Sequence, residues 1–316
     1  MDFSNVRVLV VGDIVLDKYT IGTVNRISPE APVPILNVEE EFYRLGGAAN
    51  VAANIAALGG SVSLVGLVGD DVYGDKIARE CGKQGVLLRA IESPLPTSLK
   101  NRFIAGRQQL LRVDWEDTDV SSFSELAKDI TEQSLLLADN SDVVLVSDYG
   151  KGVVSGSLIS SIRSVLPKAL IIVDPKPINA ARYTGASIIK PNEKEAKELL
   201  LALGCGLCPT VQDTASRLSV EYKTKIVITR GEKGMVLADA QVVQEIPTEA
   251  QEIFDVTGAG DAVTACLGLA LGSGMSLVES CRLANIAGGI AVGHVGVVAV
   301  TSRELFDIAK GKLDGI

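Results

Sequence analysis

The chain has 316 residues, 47% of them hydrophobic and 22% charged, with a formal net charge of -9 and a pI of about 4.9. A chain of this length can bury a large core without disulfides or a structural metal. Its excess of carboxylates argues against nucleic acid and anionic membrane as partners, since both select clustered Lys and Arg. No apolar run approaches the ~20 residues that cross a bilayer, and the N-terminus lacks the basic and apolar pattern of a secretory signal. We expect a cytoplasmic protein.

Short, continuously apolar segments alternate with helix-like segments along most of the chain. Runs of this kind are typical of parallel strands that are covered on both faces. Their alternation with helices predicts a doubly wound α/β sheet, with ligands at the carboxyl ends of the strands. The predicted strands are residues 7–12, 62–68, 143–146, 170–173, 187–189 and 226–229. The predicted helices are residues 48–58, 72–84, 124–138, 193–201, 211–222, 258–272, 277–293 and 303–310.

Two regions, about 17–42 and 97–114, have the alternation of strands but no helix between them. The second resembles a hairpin that turns near Ala105 and Gly106. We interpret both as strands of a small sheet that forms a lid over the site, with ordinary edge hairpins as the alternative. The absence of repeats or an obvious linker predicts one domain over residues 1–316.

The five cysteines include one Cys-x-x-Cys, at Cys205 and Cys208. A zinc site needs further ligands, and His294 is the single histidine of the chain. We therefore expect two inert thiols in a loop after a helix, with a redox or metal site as the alternative. One histidine in an apolar, glycine-flanked setting also argues against Ser-His-Asp or Cys-His catalysis.

The strongest motif is residues 255–261, with the sequence DVTGAGD. Gly258, Ala259 and Gly260 precede an apolar, helix-prone run, so their N–H groups lie at a helix N-terminus, where an anion such as a phosphoryl group binds. Asp261, beside that site, can take a proton from an attacking hydroxyl. The alternative is that Asp261 only caps the helix.

A second glycine-rich segment, Gly46-Gly47-Ala48-Ala49-Asn50, opens a predicted helix. Its glycines allow a ligand to approach the backbone, and Asn50 offers both a donor and an acceptor to sugar hydroxyls. The alternative is a glycine turn that helix packing requires.

In this order and at this separation, the two segments resemble the signatures of the ribokinase-like (PfkB) carbohydrate kinase family, and the resemblance covers nearly the whole chain. It implies a ribokinase-like α/β fold, mostly parallel and flanked by helices, with a small β-sheet lid that often forms a homodimer interface. It also implies ATP and Mg²⁺, and it allows a monovalent cation near Asp255.

Other segments resemble one branch of the family, the D-glycero-β-D-manno-heptose 7-phosphate kinases. These segments are residues 26–35 (RISPEAPVPI), 147–152 (SDYGKG), 174–176 (DPK) and 191–195 (PNEKE). The branch implies phosphorylation of the C1 hydroxyl to a 1,7-bisphosphate, on the route to ADP-heptose and lipopolysaccharide core. Some such kinases are half of a bifunctional protein. We expect no nucleotidyltransferase domain here, because the chain ends at Ile316 and has one histidine, and we leave open whether it is a stand-alone kinase or an excised half.

The resemblance assigns Asp261 as the base and the amides of residues 258–261 as donors to the transferring phosphoryl group. Asn192 and Glu195 match the family's Asn-x-x-Glu and would help to place Mg²⁺, with Glu193 and Lys194 between them. They also fit a helix capping box, and both roles can hold at once. Thr229 and Gly231 are expected near the nucleotide, and Asn285 beside the adenine.

On the substrate side, acidic residues follow predicted strands. Asp13 and Asp148 end two of these strands and can bind sugar hydroxyls. Asp17 can also do so or can be a solvated loop residue. The phosphate of the sugar needs cations, for which Arg26, Lys151 and Lys176 are the nearest motif residues, each with a structural role as the alternative.

Three other functions are alternatives to this interpretation. A ribokinase or fructokinase would keep the chemistry and change the sugar. A non-catalytic nucleotide- or sugar-binding protein is opposed by the intact Asp261 and its Gly-Ala-Gly. A dinucleotide-dependent oxidoreductase is opposed because no Gly-x-Gly-x-x-Gly follows the first strand.

Overall fold

The structure is a computed structural model that describes residues 2–106, 108–116, 126–240, 242–248, 257–294 and 296–312. Its strands, β1 to β13, are Arg7–Gly12, Ile14–Ile27, Pro34–Gly47, Ser61–Gly69, Leu87–Ser93, Leu99–Ala105, Gln108–Trp115, Val143–Ser147, Leu170–Asp174, Ile188–Ile189, Lys225–Thr229, Met235–Asp239 and Val242–Ile246. Its α-helices, α1 to α9, are Ala48–Ala57, Val72–Lys83, Leu126–Ala138, Leu158–Val165, Glu193–Ala202, Val211–Tyr222, Ala259–Gly272, Leu277–Ala291 and Ser302–Lys312. Short 3₁₀ helices span Pro177–Tyr183 and Gly231–Lys233.

A nine-stranded sheet forms the centre of the fold, in the order β13-β12-β11-β10-β9-β8-β1-β4-β5. The strands from β5 to β11 in this order are parallel, while β12 and β13 are antiparallel at one edge. Alternate residues of β1 enter opposite cores: Val8 and Val10 belong to the core that contains α1, α7 and α8, whereas Leu9 and Val11 belong to the core that contains α3 to α6. This two-sided burial explains why the strands are continuously apolar.

A separate four-stranded sheet has the order β3-β2-β6-β7. It contains one parallel pair, β2 with β6, between two antiparallel pairs. β2 follows β1 after a single residue, Asp13, and β3 leads directly into α1. The small sheet therefore arises at the carboxyl edge of the large one, where ligands of such sheets bind.

The predicted doubly wound fold with a small second sheet is confirmed. The sequence interpretation omitted β5, α4, β12 and β13. The hairpin β12–β13 is short, and its outer strand is largely exposed, so it lacks the continuous apolar run that marked the parallel strands.

Candidate functional site

Asp261 lies in the first turn of α7 and is buried, with 6% of its surface exposed. Both oxygens of its carboxylate accept hydrogen bonds from side chains of other elements. Asn50 Nδ2 donates to Oδ2 at 2.7 Å, and the hydroxyl of Tyr149 donates to Oδ1 at 2.7 Å. The carboxylate is thus fixed between α1, α7 and the end of β8.

The environment of Asp261 raises its pKa to about 6, chiefly because burial disfavours the charged form. The hydrogen bonds from Asn50 and Tyr149 act in the opposite direction, since they stabilise the carboxylate. A carboxyl group with this pKa is ionised at neutral pH and can still accept a proton readily.

Asn50 has its own orienting partner, Asn54, one turn later in α1. Asn54 Nδ2 donates to the carbonyl oxygen of Asn50 at 2.9 Å and to Asn50 Oδ1 at 3.1 Å. The Oδ1 atom of Asn54 accepts the N–H of Val300 at 3.0 Å. Because Asn50 Oδ1 is engaged in this way, its NH₂ group must point at Asp261. Both polar atoms of the Asn50 side-chain amide are therefore hydrogen-bonded: Nδ2 donates to Asp261, and Oδ1 accepts from Asn54.

The backbone N–H groups at the N-terminus of α7 divide into two pairs. Asp261 N–H and Ala262 N–H both bond to the carbonyl of Gly258 at 3.1 Å, so the expected contribution of the Asp261 amide to an anion site is not available. The N–H groups of Ala259 and Gly260 have no acceptor among the residues that the structure describes. Gly258 has φ of +80°, and a Cβ there would lie 3.1 Å from Asn50 Nδ2, so a glycine is needed for this turn.

A cavity of about 330 Å³ lies in front of these two amides. Its walls include six residues or segments that the sequence interpretation assigned to ATP or to the phosphoryl site: Asn192, Thr229, Gly231, Ala259, Gly260 and Asn285. Gly288, Gly289 and Val292 of α8 and the loop after it complete an apolar wall beside Asn285. Asn285 Nδ2 also donates to the carbonyl of Pro247 at 2.9 Å, which leaves its Oδ1 for a ligand. The cavity has the size of a small-molecule site.

Asn192 and Glu195 form the predicted capping box at the start of α5. Asn192 Oδ1 accepts the N–H of Glu195 at 2.9 Å, and Glu195 Oε2 accepts the N–H of Asn192 at 3.1 Å. The other oxygen of Glu195 pairs with Lys176 Nζ at 3.0 Å. The intervening Glu193 and Lys194 pair with Arg230 and Glu198 and do not line the cavity.

Asp13 and Asp148 both brace the loop after β8. Asp13 accepts the N–H groups of Tyr149 at 2.7 Å, Lys151 at 3.1 Å and Val153 at 3.2 Å. Asp148 accepts the N–H of Gly150 at 2.7 Å, and bonds from Asn179 and Tyr183 reach its other oxygen. Burial, together with the nearby charge of Asp148, raises the pKa of Asp13 to about 6. The two carboxylates hold Tyr149 in place, and their predicted contact with sugar remains a prediction.

The two glycines of the second motif, Gly46 and Gly47, lie where a side chain would clash with neighbouring atoms. Gly46 lies beside Asp17, whose Oδ2 would be 2.2 Å from a Cβ, and Gly47 has φ of +57° with the carbonyl of Asp13 2.4 Å from that position. Asp17 itself is buried and forms an ion pair with Arg102. Asp17 is therefore not a solvated loop residue. The contacts of Gly46 and Gly47 agree with the alternative that packing requires glycine at these positions.

Two of the three predicted cations lie near the Tyr149 loop, and the third does not. Lys151 pairs with Glu116, and Lys176 pairs with Glu195, both beside the Tyr149 loop. Arg26 is exposed near the far end of β2. A strand from Ile14 to Arg26 extends roughly 40 Å, so Arg26 is remote from the Asp261 site within one chain.

A model of the pfkB family of carbohydrate kinases matches residues 6–303 of the chain. The chain belongs to this family. Kinases of the PfkB family use ATP and Mg²⁺. The predicted class of enzyme, an ATP-dependent sugar kinase, is confirmed by this membership.

Among curated proteins, the PfkB chain is similar to the Bifunctional protein HldE of Caulobacter sp. (strain K31), with 40% identity over 98% of the chain and 64% of the relative. It is also 40% identical to the Bifunctional protein HldE of Shewanella amazonensis, again over 98% of the chain and 64% of the relative. The chain thus spans about 64% of the length of the relatives that it matches.

Solved structures agree in fold. A ribokinase of Arabidopsis thaliana, complexed with ribose and ATP, matches 96% of the chain and 98% of its own with a TM-score of 0.74 and 20% identity. Phosphofructokinase-2 of Escherichia coli matches 97% and 99% with a TM-score of 0.76 and 21% identity. At these identities the likeness shows the ribokinase-like fold alone.

The residues at the cavity fit Mg²⁺ held mainly by phosphates and water. Within the described ranges, no group of three or more His, Cys, Asp and Glu is arranged to hold a metal. Mg²⁺ in kinases usually keeps several waters and takes few protein ligands. Asn192, which lines the cavity, suits that mode, and Glu195 lies three residues later, behind Asn192 and outside the lining. Asp255, near which a monovalent cation was considered, lies outside the described residues.

The sequence did not predict the roles of two residues near the site, Tyr149 and Lys190. Tyr149 lies inside the SDYGKG segment, yet a tyrosine after a strand gives no sign that its hydroxyl reaches a carboxylate 112 residues away. Lys190 is 2% exposed and pairs with Asp174 at 3.2 Å, a contact between the ends of two strands. Cys205 and Cys208 are free cysteines without a disulfide, and they lie in the predicted place, the loop after α5. None of the described helices combines the length and hydropathy of a membrane span.

Proposed function

We propose that this PfkB protein transfers the γ-phosphoryl group of ATP to the C1 hydroxyl of D-glycero-β-D-manno-heptose 7-phosphate, giving the 1,7-bisphosphate for ADP-heptose and lipopolysaccharide core synthesis. The observation that carries the phosphoryl-transfer chemistry is Asp261, fixed by Asn50 and Tyr149 next to Ala259 and Gly260, which line a cavity of about 330 Å³. The heptose branch is supported by residues 26–35 and 147–152 and by the 40% identity to proteins named HldE.

In the proposed step, the oxygen of the C1 hydroxyl forms a bond to the γ-phosphorus as the bond between that phosphorus and the β–γ bridging oxygen breaks. The proton of the hydroxyl moves to the carboxylate of Asp261, and ADP leaves with the bridging oxygen. The N–H groups of Ala259 and Gly260 donate to the equatorial oxygens, where charge accumulates. Because these donors and Asp261 belong to one helical turn, their positions relative to one another are fixed, and all of them can contact the reacting groups of one bound substrate pair.

The nucleotide would occupy the 330 Å³ cavity. Thr229 and Gly231 line its phosphate side, and Asn285 lies beside the apolar wall for the adenine. Glu195 and Asn192 would hold Mg²⁺ through water, and the ion would neutralise charge on the phosphates. Asp13, Asp148 and Lys176 would support the sugar and phosphate side, partly by fixing the Tyr149 loop.

Further parts of the proposal concern the whole protein. We propose that it acts in the cytoplasm and forms a homodimer through the small sheet, whose residues 26–35 are exposed for much of their length. Within such a dimer Arg26, remote from Asp261 in its own chain, would meet the other subunit. A monovalent cation remains part of the proposal through the family alone.

The test is ATP-dependent phosphorylation of the heptose 7-phosphate, fructose and ribose by purified protein, with the position of the new phosphate determined by phosphorus NMR. We expect a 1,7-bisphosphate in clear preference to the other products. Turnover of ribose or fructose without the heptose would retain Asp261 as base and discard the substrate. No phosphoryl transfer to any sugar would favour a binding protein on a kinase scaffold.

A further inference from the structure

One face of the small sheet carries charged side chains toward the carboxyl edge of the large sheet. In the register of β2, β6 and β7, Asp17, Lys100 and Asp114 are neighbours across three strands. Two residues further along β6 and β7, Arg102 faces Arg112. Side chains at these positions share a face because they are in register or two residues apart.

Nearly all the cations around this face have a carboxylate partner. The pairs are Arg102 with Asp17, Arg112 with Asp114, Lys151 with Glu116, and Lys176 with Glu195. Lys100 has no ion pair within 4.0 Å and no hydrogen bond from its ammonium group among the described residues. The two carboxylates beside it in the register are thus taken by arginines.

The position of the free ammonium group is specific. Lys100 Nζ lies 5.7 Å from the centre of the Tyr149 ring, whose hydroxyl bonds to Asp261. Lys176 Nζ lies 5.9 Å from the same ring. Lys100 is half-buried, and its contact with Tyr149 bridges the space between the two sheets. An anion in that space would meet Lys100 at one end while the other end of the same molecule reaches Asp261.

We infer that Lys100 binds the phosphate group of the sugar substrate and thereby determines that the enzyme accepts a sugar phosphate rather than a free sugar. The inference rests on the proposed function and adds to it a residue that distinguishes phosphorylated from unphosphorylated sugars. In a β-pyranose phosphorylated on its exocyclic chain, C1 and C5 flank the ring oxygen, and the equatorial C1 hydroxyl and the phosphorylated chain on C5 point away from each other. C1 at Asp261 therefore directs the phosphate away from the base, along the Tyr149 ring toward the small sheet.

The electrostatics of the site support this assignment. Burial lowers the pKa of Lys100, and the nearby charge of Lys151 lowers it further, against the opposing effect of Asp17. Asp17, Asp114 and Glu116 also act on the charge of Lys100, but each of them is paired with another cation. Lys100 can therefore bind a phosphate without giving up an ion pair of its own.

The experiment compares wild type, Lys100→Met and Lys100→Arg with heptose 7-phosphate, fructose 6-phosphate, fructose and ribose. Lys76→Met is the matched control, because Lys76 is also half-buried and lies 3.7 Å from the ring centre of Tyr43, on the far side of the small sheet. We expect Lys100→Met to raise KM for the phosphorylated substrate about 10- to 100-fold, with KM for ATP unchanged. Lys100→Arg should recover part of the loss, and Lys76→Met should match wild type.

The ratio of kcat/KM for the phosphorylated over the unphosphorylated sugar is the deciding quantity. A general loss of the small sheet would lower both values, whereas loss of a phosphate contact lowers only the first. If wild type turns over heptose 7-phosphate and Lys100→Met has the same ratio of kcat/KM values as wild type, this inference is overturned and the proposed function is kept. Turnover of fructose 6-phosphate alone, still dependent on Lys100, would support the inference and overturn the heptose assignment. Wild-type preference for free sugars would overturn both.

Discussion

Replacing Tyr149 with Phe removes one hydroxyl group from the Asp261 site and leaves the ring in place. The lost hydrogen bond, 2.7 Å long, stabilises the ionised carboxylate of Asp261. Asn50 still donates to the other oxygen, so the carboxylate stays oriented. The variant therefore separates the ionisation of the base from its position.

The size of the effect follows from the charge on the acceptor. A hydrogen bond to a charged group contributes about 1.5–3 kcal/mol, and one pKa unit corresponds to about 1.4 kcal/mol. The pKa of Asp261, about 6 in the native protein, should therefore rise by about one to two units in Tyr149→Phe. Since the base must be ionised, activity at pH 6 should fall about 5- to 50-fold more than activity at pH 9.

The assay is the initial rate of ADP release between pH 5 and 9.5 at saturating ATP and Mg²⁺. The acid limb of kcat/KM should move to higher pH in Tyr149→Phe. Tyr222→Phe is the control, because its hydroxyl is also buried but bonds to the carbonyl of Ala180, away from Asp261. An acid limb at the same pH in wild type and Tyr149→Phe would refute the assignment of that limb to Asp261.

Three further predictions follow from the same contacts. Asp261→Asn should lower turnover about 10²–10⁴-fold with ATP affinity retained in calorimetry. It should also raise the free energy of unfolding at pH 8 by up to about 3 kcal/mol, because the native pKa of about 6 lies above the ordinary aspartate pKa of 3.8. The ionised carboxylate of Asp261 lowers the stability of wild type above pH 6, so the stability gained in Asp261→Asn should vanish by about pH 4. Equal urea midpoints for wild type and Asp261→Asn at pH 8 would contradict this prediction. Asn54→Leu leaves Val300 N–H and Asn50 Oδ1 without partners, so it should cost about 2–4 kcal/mol of stability; an unchanged urea midpoint would exclude this role. Glu195→Gln should weaken the activation by Mg²⁺, whereas an identical Mg²⁺ titration would leave Glu195 only its capping role.

The sequence alone determined the features that depend on local pattern. Continuous apolar runs marked the buried parallel strands, since each must be apolar on both faces. The glycine-rich DVTGAGD segment predicted a helix N-terminus with Asp261 in its first turn, and α7 begins at Ala259. Asn192 and Glu195 were expected to form a capping box, which requires only a spacing of three residues, and they do.

Tertiary structure alone decided which distant residues meet at Asp261. Asn50 and Tyr149 are 211 and 112 residues from it in the chain, and a hydrogen bond across such a separation leaves no local pattern. The same holds for Lys100, which is one lysine among many in the sequence. It becomes distinctive because folding pairs its neighbouring carboxylates with arginines and brings its ammonium group to the Tyr149 ring. Helix starts and buried strands are set within a few residues, whereas two of the ion pairs around Lys100 join residues that are distant in the chain and become visible only in the fold.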